Sequence, residues 1–359
     1  MAASDGRSAA QERGSATDIA GVVVLSGCAV WSLISAAGRE ARPEGVLLAV
    51  FAVAAGYACG RICGTLLPVA AASATALAAL ALAIASRQGV PGGNVGAATQ
   101  PGHTGAGAAL LVLAAGAACC AASAARPPAL RLCLRLLAPA VACTALALGS
   151  VAGFAAALGV LLCSLAAVRM RRRTLALSGL ALATGLVVAA SWGVAEDALP
   201  TGLTVSLEGQ LTQNRVALWQ DAVALAKEDP VRGVGPDRFG KLSATAQQSL
   251  GSDGKPHSAS LQQAAEQGVV GVALLAAAFG WMLYGLLRSP RSTPVVLSAG
   301  AALSALAVLA SVGNALSFAP VTAGAGLLAG LATASAAGER GAEGPRHTTR
   351  QAAADSRTL

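Results

Sequence analysis

Carboxylates are the first scarcity in this sequence. Of 17 acidic residues, none falls between Glu44 and Glu196 and none between Glu266 and Glu339. Charged residues of both signs make up 12% of the 359 residues, aromatics 3%, and there are three histidines. A water-soluble domain needs a solvated charged face, so stretches this long without a carboxylate belong to another solvent, the bilayer. That excludes most soluble enzymes. The formal charge of +8 is not a nucleic-acid footprint, because the basic residues sit in short connections between apolar runs and gather in no patch with aromatics. The eight cysteines all lie in or beside apolar runs, and none lies in the one long polar loop. Cys59 and Cys63, one helical turn apart, read as small packing residues. With no cluster of Cys, His and carboxylate, the sequence predicts no metal site, and nothing in it calls for a cofactor.

What is abundant is apolar. Runs long enough to cross about 30 Å of hydrocarbon at about 1.5 Å per helical residue fall near 19–38, 45–60, 62–85, 106–125, 129–148, 150–168, 174–193, 268–287, 294–312 and 317–337. The expected fold is therefore an all-α polytopic membrane protein of about ten helices. Seven lie in 19–193 and three in 268–337, either side of one large loop, 194–267. The small residues that dominate the spans suit close helix packing. Residues 1–18 and 338–359 have the composition of disordered tails.

Arginine placement sets the expected orientation. With the N-terminus inside, the inner connections hold Arg61, Arg126, Arg131, Arg135, Arg169, Arg171, Arg172, Arg173, Arg288 and Arg291, against Arg39, Arg42 and Arg87 in the short outer ones. Both termini are then cytoplasmic and the loop 194–267 extracytoplasmic, in a multi-pass plasma-membrane protein. A signal peptide is not expected. The spans carry no carboxylate and no lysine, which disfavours a proton-coupled carrier. Chemistry is to be sought in the loop. The outer connection from Gly89 to Gly105 is rich in Gly and Pro, and its His103 reads as a solvated residue.

Within the loop, 212–230 reads as an amphipathic helix capped by Thr212 or Asn214 and ended by Pro230. Trp219, Ala222, Val223 and Ala226 share one face, with Trp219 either packed on the bundle or anchored in the membrane interface. Arg215 on its first turn is either solvated or placed to reach a phosphate. Gly233 and Gly235 then make a tight turn beside Arg232 and Arg238. With no preceding strand and no following Gly-Lys-Ser/Thr, it is not a nucleotide-binding loop. Further on, Ser258 is placed to cap a short helix, 259–267, with Leu261, Ala264 and Ala265 on one face. His257 stands just ahead of that helix, and Gly268 and Gly271 lie where it meets the next span.

His257 and Ser258, nine residues, then Gly268 and Gly271 resemble the signature of the O-antigen ligase superfamily, which joins O-antigen ligases, O-antigen polymerases and bacterial O-oligosaccharyltransferases. At this glycine content a Gly pair at that offset arises by chance roughly once in seventy per histidine. Upstream, Arg215, Trp219, Pro230, Gly233, Gly235 and Phe239 keep the family's order. The specific match covers 212–271. Known members are often longer with more spans, so a further arginine from another outer loop stays open, with Arg87 the candidate.

The resemblance implies a membrane glycosyltransferase fold of the GT-C-like type. It implies transfer of a glycan from undecaprenyl diphosphate to a glycan, lipid or protein hydroxyl at the outer face, in cell-surface polysaccharide synthesis. Arginines suit the charge that grows on a departing diphosphate, and an imidazole, ordinarily titrating near pH 6.5, suits a general base. The residues in those roles would be His257 as base, with Arg215 and one of Arg232 or Arg238 on the diphosphate. The other reading is a non-catalytic transporter or scaffold of a surface-polysaccharide export complex.

Overall fold

The computed structural model describes residues 2–88, 103–170, 172–198, 213–248 and 253–335; for 2–15, 87, 88, 103 and 104 this is the backbone alone. The side chains of Arg87 and His103, and all of Thr212 and the tail 338–359, therefore lie outside what is described. The helices are α1 (Ala2–Ala36), α2 (Glu44–Leu66), α3 (Pro68–Gln88), α4 (His103–Ala124), α5 (Pro128–Ala147), α6 (Val151–Ala167) and α7 (Arg173–Ala195). After the loop's own helices α8 (Gln213–Glu228), α9 (Phe239–Leu242) and α10 (Ala244–Gln248) come α11 (Ala259–Arg288), α12 (Thr293–Ser311) and α13 (Ala319–Thr333). Among the described residues there is no strand.

Eight of these helices are long and apolar enough to cross a membrane, while α6 and α13 are shorter apolar helices. The protein is a polytopic membrane protein. Several expectations change in detail. Residues 2–18, expected to be disordered, continue α1 as helix, in keeping with their many good helix formers. The second span is not a short one ending at residue 60. It runs on to Leu66 and breaks at Leu67, because Pro68 has no N–H to give and starts the next helix. Arg61 is thus inside α2 and not in a connection. It reaches Asp18 at 2.9 Å and the Thr333 carbonyl at 2.7 Å, while Tyr57 Oη donates to Asp18 at 2.8 Å. One carboxylate–arginine pair, absent from the sequence reading, therefore stands within the helical bundle.

The core of the bundle is α4, almost wholly buried, with α12 beside it. A helix made of Ala, Gly, Cys, Leu and Val has no bulky face to exclude its neighbours, and α3, α5, α6, α12 and α13 surround it. The tightest crossing is α2 on α13. A Cβ on Gly56 would overlap the Ala323 carbonyl, one on Gly60 that of Leu327, and one on Gly330 that of Tyr57.

Connections gather at two ends. At one, Arg173 Nη1 donates to the Ser289 carbonyl at 2.9 Å and Ser289 Oγ to the Ala332 carbonyl at 2.6 Å. At the other, the α1–α2 connection, the end of α7, the α12–α13 connection and the whole loop assembly meet.

Candidate active site

The loop assembly has its own small core. Leu218, Trp219, Ala222, Val223 and Leu225 of α8 close on Phe239, Ala246, Val194 and Ala195, and on Leu261 and Ala265 of α11. Trp219 is 1% exposed, so it is a core residue and not an interfacial anchor. Its Nε1 has no partner among the described residues. Asp221 ties α8 to α10, accepting from Ser243 Oγ at 2.6 Å and from the Thr245 N–H at 3.0 Å. Trp192, near the end of α7, donates to Ser260 Oγ at 3.3 Å.

The glycines of the two motifs meet each other. Helix α11 is two helices joined at Gly268, whose φ of 66° and ψ of −165° are open to glycine almost alone. The first of them, 259–267, ends with bare carbonyls, and the Gly233–Gly235 turn supplies their donors. The Val234 N–H reaches the Ala265 carbonyl at 2.8 Å and the Gly235 N–H that of Glu266 at 2.9 Å. Trp31 Nε1 takes the Gln267 carbonyl at 3.0 Å, and the Val269 N–H closes onto the Pro230 carbonyl at 2.8 Å. Gly233 has a φ of 63° and lies where a Cβ would strike the backbone of Glu266 and Gln267, while a Cβ on Gly268 would overlap the Val231 carbonyl. Gly271 leaves room for Gln267 and Gln263 on the inside of the bend. The amides of the Gly-x-Gly turn are therefore spent on a helix end and are not held open for a phosphate.

Arginines divide by what they hold. Arg232 donates to the Ile34 and Ala37 carbonyls at 2.6 and 3.1 Å, fastening the turn to the C-terminal end of α1. Arg238 bonds the Val234 carbonyl at 3.0 Å. Arg39, which the sequence gave no reason to single out, pairs with Asp229 at 2.7 Å and donates to the Gly233 carbonyl. Asp229 is held below the usual carboxylate range by the Arg232 N–H and then by the Arg39 guanidinium. Arg215 is different. It lies half-buried on the first turn of α8, and among the described residues it has no hydrogen-bond or ion-pair partner. Burial pulls its guanidinium below the ordinary value.

His257 precedes the first half of α11 and adopts a φ of 53°, a left-handed conformation uncommon for a residue with a Cβ. Its Nε2 lies 3.2 Å from Asp253 Oδ1, with the two side chains 15% and 23% exposed. The Lys255 N–H donates to the same carboxylate at 3.2 Å, and Asn314 Nδ2, from the α12–α13 connection, to its other oxygen at 3.2 Å. Burial by itself would raise the Asp253 carboxyl, but the bond and charge of His257, with these two donors, hold it below the usual range. Ser258 sits at the N-cap position with extended φ and ψ, yet its side chain caps nothing. Its Oγ lies 3.3 Å from Ser260 Oγ instead.

The structure thus gathers Trp219, Gly233, Gly235, Phe239, Gly268 and Gly271 into one interlocked unit, with His257 at the start of its central helix. A sequence reading has no signal for Asp253, Asn314 or Arg39, whose partners are fixed by the fold. A family model described as O-antigen ligase matches residues 136–276, a stretch that holds this whole unit and the helices α6 and α7 before it. A comparison with curated proteins gives no match.

Proposed function

We propose that this membrane protein, whose residues 136–276 match the family model described as O-antigen ligase, belongs to that family and transfers a glycan from undecaprenyl diphosphate to an acceptor hydroxyl. A GT-C-like architecture, an extracytoplasmic loop assembly and cytoplasmic termini belong to the same proposal. In the step proposed, the acceptor oxygen attacks the anomeric carbon of the donor sugar, and the bond from that carbon to the diphosphate breaks with its electron pair leaving on the phosphate oxygen. The acceptor proton passes to His257, which later loses it to water. The donor is already activated by its diphosphate, so the reaction needs neither a nucleotide nor another energy source outside the cell.

The observation that carries this reading is Arg215. Most buried or half-buried arginines have a carbonyl or carboxylate partner, as Arg39, Arg61 and Arg232 do here. Arg215 has no hydrogen-bond or ion-pair partner among the described residues, on a helix packed against the one that His257 precedes. That is the state expected of a side chain awaiting an anion, and departing diphosphate is stabilised by charge-assisted hydrogen bonds of this kind. Arg232 and Arg238 already bond backbone carbonyls, so their part in this proposal is the weaker positioning of charge near the same turn.

The test is a strain whose only copy carries His257→Ala. General-base loss costs about 10²- to 10⁴-fold, so lipid-linked glycan accumulates while the protein is made and inserted at its normal level. Full-length polymer on the carrier then marks a ligase and single repeat units a polymerase. Undiminished transfer by the variant overturns the reading and favours the transporter or scaffold.

A further inference from the structure

We infer that Asp253 is a positioning residue for His257: it holds the imidazole with its proton on Nε2 and leaves Nδ1 as the nitrogen that faces the acceptor hydroxyl. The inference rests on the proposed role of His257 as base. Its evidence is a directed chain of hydrogen bonds that begins in the bundle and ends on the ring. Ser317 Oγ donates to Asn314 Oδ1, which turns the Asn314 amide so that Nδ2 points away and donates to Asp253 Oδ2 at 3.2 Å. Asn314 is 8% exposed, so this amide is not swinging in solvent. The other carboxylate oxygen takes the Lys255 N–H and His257 Nε2, each at 3.2 Å. Both oxygens are thus committed, and the carboxylate has one orientation.

The backbone is bent to bring this about. Asp253 and His257 are four residues apart, but they are not in a helix. Gly254 with a φ of 67° and His257 with a φ of 53° reverse the chain between them, and Gly254 lies against Gly240 of α9. A left-handed histidine carries a conformational cost that the surroundings must offset. A connection that needed only to be closed could be stapled by Asp253 and Asn314 without drawing in an imidazole. Chemically, a base that takes a proton becomes a cation, and a fixed carboxylate beside it favours that state while selecting which nitrogen is free. In the transfer step the acceptor proton goes to Nδ1, the Nε2–H keeps its bond to Asp253, and the ion pair that results is charge-assisted.

The experiment uses the full-length protein in liposomes with a synthetic undecaprenyl-diphosphate-linked disaccharide as donor. Isolated membranes supply the acceptor, and release of undecaprenyl diphosphate is the readout. Asp253→Asn is expected to lower kcat about 10- to 1,000-fold, with KM for the donor within about threefold. Asp253→Glu recovers at least part of the lost kcat, since its carboxylate still reaches the ring. Should Asp253→Asn fail to fold, Asn314→Ala reads the same link from one bond further out, with a smaller fall in kcat and an equally unchanged KM.

Two results overturn the inference alone, given a wild-type protein that transfers and a dead His257→Ala. One is an Asp253→Asn protein with unchanged kcat. The other is a loss confined to KM or to thermal stability. If wild type and His257→Ala release carrier equally, the reading of His257 has failed first, and the inference fails with it.

Discussion

Glycine serves two purposes in this molecule, and the comparison separates what composition can reveal from what only spacing can. In the bundle, Gly56 and Gly60 of α2 and Gly326 and Gly330 of α13 keep ordinary helical backbone. They matter because they are small, letting two helices touch through their main chains. In the loop assembly, Gly233 and Gly268 are small and also left-handed, and each stands against the segment that carries the other. A stripe of small residues in an apolar run is common and says only that helices approach. A pair of glycines at a fixed offset after a histidine says that a chain must turn at one place and nowhere else.

The largest effect that tests this contrast is Gly268→Ala. The methyl group meets the Val231 carbonyl, and the backbone leaves the only region in which the bend exists. Strain of about 1–3 kcal/mol adds to an overlap of similar size. Transfer per inserted molecule is expected to fall at least about 100-fold because the helix behind His257 loses its register with the Gly233 turn. Gly60→Ala comes second. It overlaps the Leu327 carbonyl but asks nothing unusual of φ, so the cost is overpacking alone, about 1–3 kcal/mol. Its thermal midpoint in detergent drops, while transfer per folded molecule stays near the wild-type value. Equal loss of transfer in both variants would erase the distinction.

A smaller effect compares the ion pairs of the two regions. Arg39 with Asp229 clamps the loop turn to the α1–α2 connection, and Arg61 with Asp18 joins α1 to α2 inside the bundle. Double-mutant cycles on thermal stability should give each pair only a small coupling, as partly exposed pairs do. The readout that differs is activity. Arg39→Ala also frees the Gly233 carbonyl and should reduce transfer several-fold, whereas Arg61→Ala leaves transfer per folded molecule unchanged. A larger activity loss in the Arg61 variant would show that the turn does not depend on its clamp.

How legible each part was follows from where its partners lie. The apolar runs announce themselves because a helix in hydrocarbon needs only its own length and composition. Even so, the break at Leu67 was misread at Arg61, since an arginine looks like a span end while Pro68 supplies the real one. His257, Gly268 and Gly271 were legible because one short helix fixes their spacing, and Trp219 and the Gly233 turn because that helix must be covered and its carbonyls satisfied. The structural bonds of Arg232 were not legible. Nothing local reveals that its guanidinium caps α1 some 200 residues earlier in the chain. Asp253, Asn314 and Arg39 were illegible for the same reason, their partners being set by which connections share an end of the bundle.

The smallest prediction concerns pH and bears on the loop's clamp alone. Asp229 is held below the usual carboxylate range by the Arg232 N–H and the Arg39 guanidinium. A carboxyl depressed in the folded state adds stability that is fully present above its unfolded value, about 3.9, and is lost as pH falls through the folded one. The clamp is therefore constant across pH 5 to 8 and loosens only in acid below about pH 4. Thermal midpoints of wild type and Asp229→Asn should differ by a small, constant amount between pH 5 and 8. They should converge below that range, because protonation then does to the wild-type side chain what the amide does permanently. Parallel curves down to pH 3 would mean that Asp229 acts through its hydrogen-bonded shape and not its charge. In that case the clamp rests on the bonds from Arg39 and Arg232 to backbone carbonyls, which carry no titrating partner.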